Sequence, residues 1–207
     1  RYINIICREC FKEFNKLERL MIPSSIILIG KESFNKCSLL KEINIPSSVV
    51  LIGERAFKQC TSLIEITIPS SVTSIGKEAF AGCESLKKIS LPSSILLIEE
   101  KLFDGCISLD NIIIPSSVIS INDFAFNQCK SLKQISIPSS VTSFGVLIFH
   151  GVTSLTITGS INFIPYSLFD QCSSLKQISF QLNVTLIKDY AFDGCSSLTQ
   201  ITIPSSV

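Results

Sequence analysis

Phenylalanine returns at Phe11, Phe34, Phe57, Phe80, Phe103, Phe126, Phe149, Phe169 and Phe192, spaced by 23 residues at every step but one, which is shortened to 20. A fixed period of roughly 20–50 residues is the signature of a solenoid, in which each unit buries its apolar face against the units on either side. The period constrains the architecture before any local propensity is considered.

The stretch from Phe80 to Leu102, FAGCESLKKISLPSSILLIEEKL, carries the template. Proline stands twelve residues after the phenylalanine at Pro23, Pro46, Pro69, Pro92, Pro115, Pro138 and Pro204, and a Ser-Ser pair follows each. The pattern runs through residues 1–207 without a linker-like break, so one domain is expected, with an irregular repeat at 149–168. Both ends fall inside a repeat, with no opening methionine and no polar cap. The sequence therefore reads as a fragment whose uncapped ends would favour self-association.

Hydrophobic content of 46% with 17% charged residues excludes disorder. No apolar run approaches the ~18 residues that span a bilayer, and the first residues lack a signal-peptide layout. A net charge of +1, with lysines scattered among glutamates, provides no basic stripe, so nucleic acid is not an expected partner.

Within a repeat, LxxIxIP, as in Leu132, Ile135 and Ile137 before Pro138, ends in alternation rich in β-branched residues and reads as a short strand. Proline lacks the backbone donor that would continue the ladder. After the Ser-Ser turn a second extended piece points Val72 and Ile75 inward, and Gly76 permits a corner. GKEAFAGC then has room for a single helical or 3₁₀ turn. Nine such coils stacked about 4.8 Å apart would make a rod or shallow arc roughly 43 Å long.

The columns Phe-x-x-Cys-x-Ser-Leu-x-x-Ile-x-Ile-Pro-Ser-Ser-Val-x-x-Ile-Gly-x-x-Ala, from Phe57 to Phe80 and from Phe80 to Phe103, resemble the BspA-like class of leucine-rich repeats. The resemblance covers essentially the whole chain. It implies an α/β-type repeat solenoid: a right-handed coil with one parallel β-sheet on the concave face and short extended, 3₁₀ or one-turn helical segments on the convex side. It also implies a surface protein, of the kind found in bacteria and parasitic protists, that binds host extracellular-matrix or plasma proteins. The alternative is an intracellular scaffold.

Seven cysteines, Cys37, Cys60, Cys83, Cys106, Cys129, Cys172 and Cys195, share the column three residues after the phenylalanine. Side chains in register point the same way, which disfavours bridging, so free buried thiols are expected. Cys7 and Cys10 form a lone C-x-x-C, without the second pair that zinc requires, and read as structural. His150 stands without a carboxylate or nucleophile at triad spacing. No phosphate-binding glycine loop or His-Glu-x-x-His occurs, so no metal, no cofactor and no enzymatic activity are expected. Asn183-Val184-Thr185 is a glycosylation sequon at Asn183, relevant only to a secreted chain.

Three surfaces remain as candidates for a protein ligand. The polar strand positions form columns on the concave face: Lys41, Lys87, Lys133 and Lys176 in the first; Glu42, Lys88, Asn111, Gln134, Gln177 and Gln200 in the second. Ile27, Leu28, Val50, Leu51, Leu96 and Leu97 replace the template Thr-Ser at one edge, forming an apolar patch unless one of the two columns packs inward. On the convex side the usual Lys-Glu pair gives way to Phe124, Leu147, Tyr166 and Tyr190, either an aromatic strip for protein contact or the cover of a locally disrupted core. Carbohydrate binding would need aromatic platforms on the concave face, and its columns hold none.

Overall fold

The structure is a computed structural model that describes residues 4–180 and 184–207. Each coil contributes two strands, and every pairing is parallel between successive coils. The longer strands, such as Glu42–Asn44, Lys88–Ser90 and Gln134–Ile137, carry the polar columns. The shorter ones, such as Leu51–Ile52 and Ser120–Ile121, form a second, lateral wall. The expected parallel sheet on the concave face is present, the short extended segments form a second parallel ladder beside it, and each ladder is interrupted.

Register follows the period. Glu65 lies opposite Lys88 and Leu28 opposite Leu51, so like columns stack on like. Ile43, Ile66 and Ile112 point into the core between outward neighbours, the alternation of a half-buried strand. In the turn, the first serine is exposed and the second is structural. Ser71 Oγ donates to the Val49 carbonyl of the preceding coil at 2.6 Å, and Ser48, Ser94, Ser117 and Ser140 repeat the bond.

The lateral corner is tightest where glycine occupies it. A Cβ built on Gly53 would lie 2.7 Å from the Gly30 backbone, and one on Gly76 would lie 2.5 Å from Glu54 N. Glycine at this corner lets the coils approach closely enough for Gly76 N–H to donate to Ile52 O at 2.8 Å. The corner also accepts larger residues, since Asn122 N donates to Ile98 O at 2.9 Å and Lys188 N to Ile164 O at 3.0 Å, while at Glu99 Ser74–Ile75 does not pair with Leu97–Ile98.

The convex side contains no helix among the described residues, which corrects the expectation of a helical or 3₁₀ turn. The residues two before and two after each phenylalanine take positive φ, as Glu78 (56°) and Gly82 (72°) do around Phe80. This alternation breaks a helical run and turns every second N–H along the solenoid axis. Glu78, Phe80 and Gly82 donate to the Glu100, Leu102 and Asp104 carbonyls of the next coil, while Ala79, Ala81 and Cys83 close turns within their own coil.

The phenylalanines form one column through the core, with adjacent ring centroids 5.2 to 6.0 Å apart, and those from Phe34 to Phe169 are fully buried. Near-parallel offset rings at this spacing add to the burial of aromatic area. Beside them run the thiols. Cys60, Cys83, Cys106 and Cys129 are buried and donate to the phenylalanine carbonyl of the preceding coil, as Cys60 does to Phe34 O, at 3.2 Å. Burial pushes the Cys83 thiol up to about 12 and the Cys106 thiol well above its ordinary value.

The shortened coil keeps its strand and shifts its register. Ser154–Gly159 is the longest strand, pairing Ile157 with Ile135 below and with Phe180 above. Ile135 stands nine residues after Phe126, whereas Phe180 stands eleven after Phe169. Ile157 stands eight residues after Phe149, so the pairings are offset by one residue below and three above, a net slip of two. The alternation holds because Leu155 and Ile157 are the inward residues of this strand.

Candidate functional site

No group of three His, Cys, Asp or Glu side chains among the described residues is placed to hold a metal ion. Among the described residues no helix is long and apolar enough to cross a membrane. Cys7 and Cys10 are joined by a disulfide in the first coil. His150 is half-buried, with Nδ1 2.8 Å from the Gln171 carbonyl. Asn183 lies outside the described residues.

The concave columns are open to solvent as expected. Lys41, Glu42, Lys87, Lys88, Asn111, Lys133, Gln134, Lys176, Gln177 and Gln200 are all exposed. Glu42 lines a shallow trough with Arg19, Met21 and Glu65. Lys41 Nζ pairs with Glu18 at 2.9 Å, so part of the positive charge at this end is already answered. Met21 (86% exposed) and Ile113 (73%) interrupt the polar columns. Only the outward pleat of their strands exposes them, since nothing in their residue type predicts it.

The lateral patch exists. Ile27, Val50 and Leu96 are exposed, as is Leu97, while Leu28 and Leu51 are half-buried. Neither column packs wholly inward. Ile119 extends the row by one coil, and Thr73 with Ser74 divides it.

The convex columns change character along the molecule. In the first coils they hold a ladder of ion pairs: Lys12 Nζ to Glu32 at 2.8 Å, Lys31 Nζ to Glu54 at 2.9 Å, and Lys77 Nζ to Glu100 at 3.0 Å. Arg55 Nη2 reaches Glu78 at 2.6 Å and Lys58 joins the same carboxylate. The hydrogen bond from Arg55, helped by Lys58 and opposed by partial burial, pushes the Glu78 carboxyl down to about 2. The Lys12 hydrogen bond lowers Glu32 in the same way.

From the coil of Phe126 onward the ladder gives way to apolar and aromatic groups. Phe124 and Leu147 are half-buried, and Lys101 Nζ sits 5.2 Å above the Phe124 ring. Val146, Tyr166 and Tyr190 are exposed, the last two at 60% each. The tyrosine rings meet edge to face with centroids 5.6 Å apart. Phe124 and Leu147 thus cover the core in part, while the tyrosines project from it.

Parallel two-ladder coils of one period, a buried phenylalanine column and open polar strand positions define a leucine-rich-repeat solenoid, generally a protein-interaction module. The chain belongs to the BspA-type leucine-rich repeat family, whose model matches residues 4–112 and 96–207. Proteins of this repeat family are typically non-enzymatic. The chain is similar to a T. pallidum leucine-rich repeat protein (27% identity, 94% of this chain and 82% of that one, TM-score 0.62). It is also similar to a leucine-rich repeat protein of Bacteroides ovatus (29%, 96% and 76%, 0.53). A leucine-rich cell surface protein of Faecalibacterium prausnitzii matches at 30% identity over 97% of this chain, with TM-score 0.57, and the chain spans 57% of that protein's length. A search of curated proteins finds no match.

Proposed function

We propose that this chain is a single, non-catalytic recognition domain of a cell-surface adhesin that binds a protein of the host surface, the extracellular matrix or plasma. One observation carries the assignment of the site. Along a single pair of convex columns, paired charges give way to Val146, Tyr166 and Tyr190, which stand exposed. Exposed tyrosines offer large contact area at low entropic cost and recur at the energetic centres of interfaces. The Cys7–Cys10 disulfide, a bond that persists in oxidising compartments, and the F. prausnitzii surface protein support an extracellular location. A second reading places the partner on the concave face, favoured by Met21 and Ile113 exposed beside Lys87, Lys133 and Gln134.

Binding to a panel of purified matrix and plasma proteins, measured by surface plasmon resonance, tests both. Tyr166→Ala with Tyr190→Ala is expected to weaken a bound protein at least tenfold, while Lys87→Glu with Lys133→Glu leaves it within twofold. The reverse outcome moves the site to the concave face. Absence of binding across the panel removes the adhesin reading.

A further inference from the structure

The convex ladder of backbone hydrogen bonds is regular except at one junction. Each coil presents three N–H groups to three carbonyls of the next, as Phe124, Phe126 and Gln128 do to Val146, Ile148 and His150 at 2.7 to 3.0 Å. Seven of the eight junctions among the described residues carry all three bonds. Between residues 145–151 and 165–171 there are none: the N–H groups of Leu147, Phe149 and Gly151 lack the partners that Tyr166, Leu168 and Asp170 would supply. The lateral wall opens at the same level, since Ser143–Phe144 does not pair with Phe163–Ile164.

Several features of the sequence converge here. Pro165 occupies the corner where Gly145 stands one coil earlier, and it has no N–H to donate, whereas Gly145 N donates to Ile121 O at 2.8 Å. The coil is three residues short, and the concave strand takes up the difference by its two-residue slip. Gly159, at φ 114°, makes that slip possible, because a Cβ there would lie 2.1 Å from Ile137 O. The concave ladder stays intact on both sides of Ser154–Gly159, with four residue pairs to each neighbour. Across the seam itself stand the Phe149 and Phe169 rings, tilted by 21° where Phe34 and Phe57 are tilted by 2°. The Phe144–Phe163 edge contact and the bond from His150 Nδ1 to Gln171 O complete the contacts named there.

We infer that this junction is a hinge. The coils before and after it move as two blocks about the strand Ser154–Gly159, opening on the convex side, with His150 as the polar latch. Unpaired amides next to a continuous ladder open at lower free energy than the bonded coils around them. The hinge does not depend on which face binds a partner.

Hydrogen exchange of the whole chain tests it. Amides of 145–151 are expected to exchange more than threefold faster than the equivalent amides of 122–128, and exchange within threefold of them overturns the inference. Pro165→Gly, which restores the donor, is expected to slow exchange at 145–151. His150→Ala is expected to speed it further at 163–171 while 31–59 stays unchanged. If neither variant shifts exchange at the seam relative to 31–59, the hinge is not built as described.

Discussion

Substituting Gly76 with alanine isolates the closest approach between coils. The added Cβ would stand 2.5 Å from Glu54 N and 2.8 Å from Glu54 Cα, backbone atoms that cannot rotate away. Relief requires the coils to part, which breaks the bond from Gly76 N to Ile52 O. Overpacking of this kind costs roughly 1–3 kcal/mol and a lost buried hydrogen bond about 1 kcal/mol, so Gly76→Ala is expected to cost about 2–4 kcal/mol. At Glu99, where the same column carries a Cβ, the lateral pairing is already absent. Glu99→Gly is expected to change stability by no more than about 1 kcal/mol, the size of the entropic cost of glycine. Urea unfolding followed by circular dichroism reads the midpoint, and hydrogen exchange reads the lateral amides coil by coil, since repeat arrays need not unfold in one step. A Gly76→Ala protein within about 0.5 kcal/mol of the parent, with residues 73–76 still protected, would refute the argument that glycine sets the coil spacing.

The two serines of one turn should separate cleanly: Ser71→Ala, which removes the bond to Val49 O, is expected to cost about 1 kcal/mol in urea unfolding, and exposed Ser70→Ala almost nothing. Phe103→Ala, which empties a fully buried ring site between Phe80 and Phe126, is expected to cost about 3–5 kcal/mol. Glu78, held down to about 2 by Arg55 and Lys58, contributes stability present above its unfolded value of 4.5 and lost as pH falls from there toward 2. Discounted for partial exposure, the loss is about 1–2 kcal/mol, and Glu78→Gln should flatten that part of the pH profile of unfolding. Native-state labelling with a soluble maleimide should modify Cys195, the half-buried end of the column, and spare Cys60, Cys83, Cys106 and Cys129. More than two labelled thiols per chain would contradict the buried ladder.

The spacing from Phe11 to Phe192, the cysteine column and the Pro-Ser-Ser turns are enough to specify a stack of like coils. The period states which residues lie above which, and their apolar character states that they meet in the core. The exposed concave columns were legible for the same reason, since alternation about Ile43 or Ile135 leaves their neighbours outward. Residue types alone did not reveal the convex backbone. Glu78, Lys101 and Phe124 share a left-handed conformation because axial hydrogen bonds to the next coil outweigh the preference of each residue, a contact 22 residues away that local propensity does not contain. Nor did they reveal that Tyr166 and Tyr190 project while Phe124 half-packs, or that Phe149 has no partner for its N–H. The sequence by itself determined the coil, its core and the place where the rhythm breaks. The tertiary structure decided how close neighbouring coils lie, and hence which backbone groups bond and which side chains stay in water, because those depend on distances between coils.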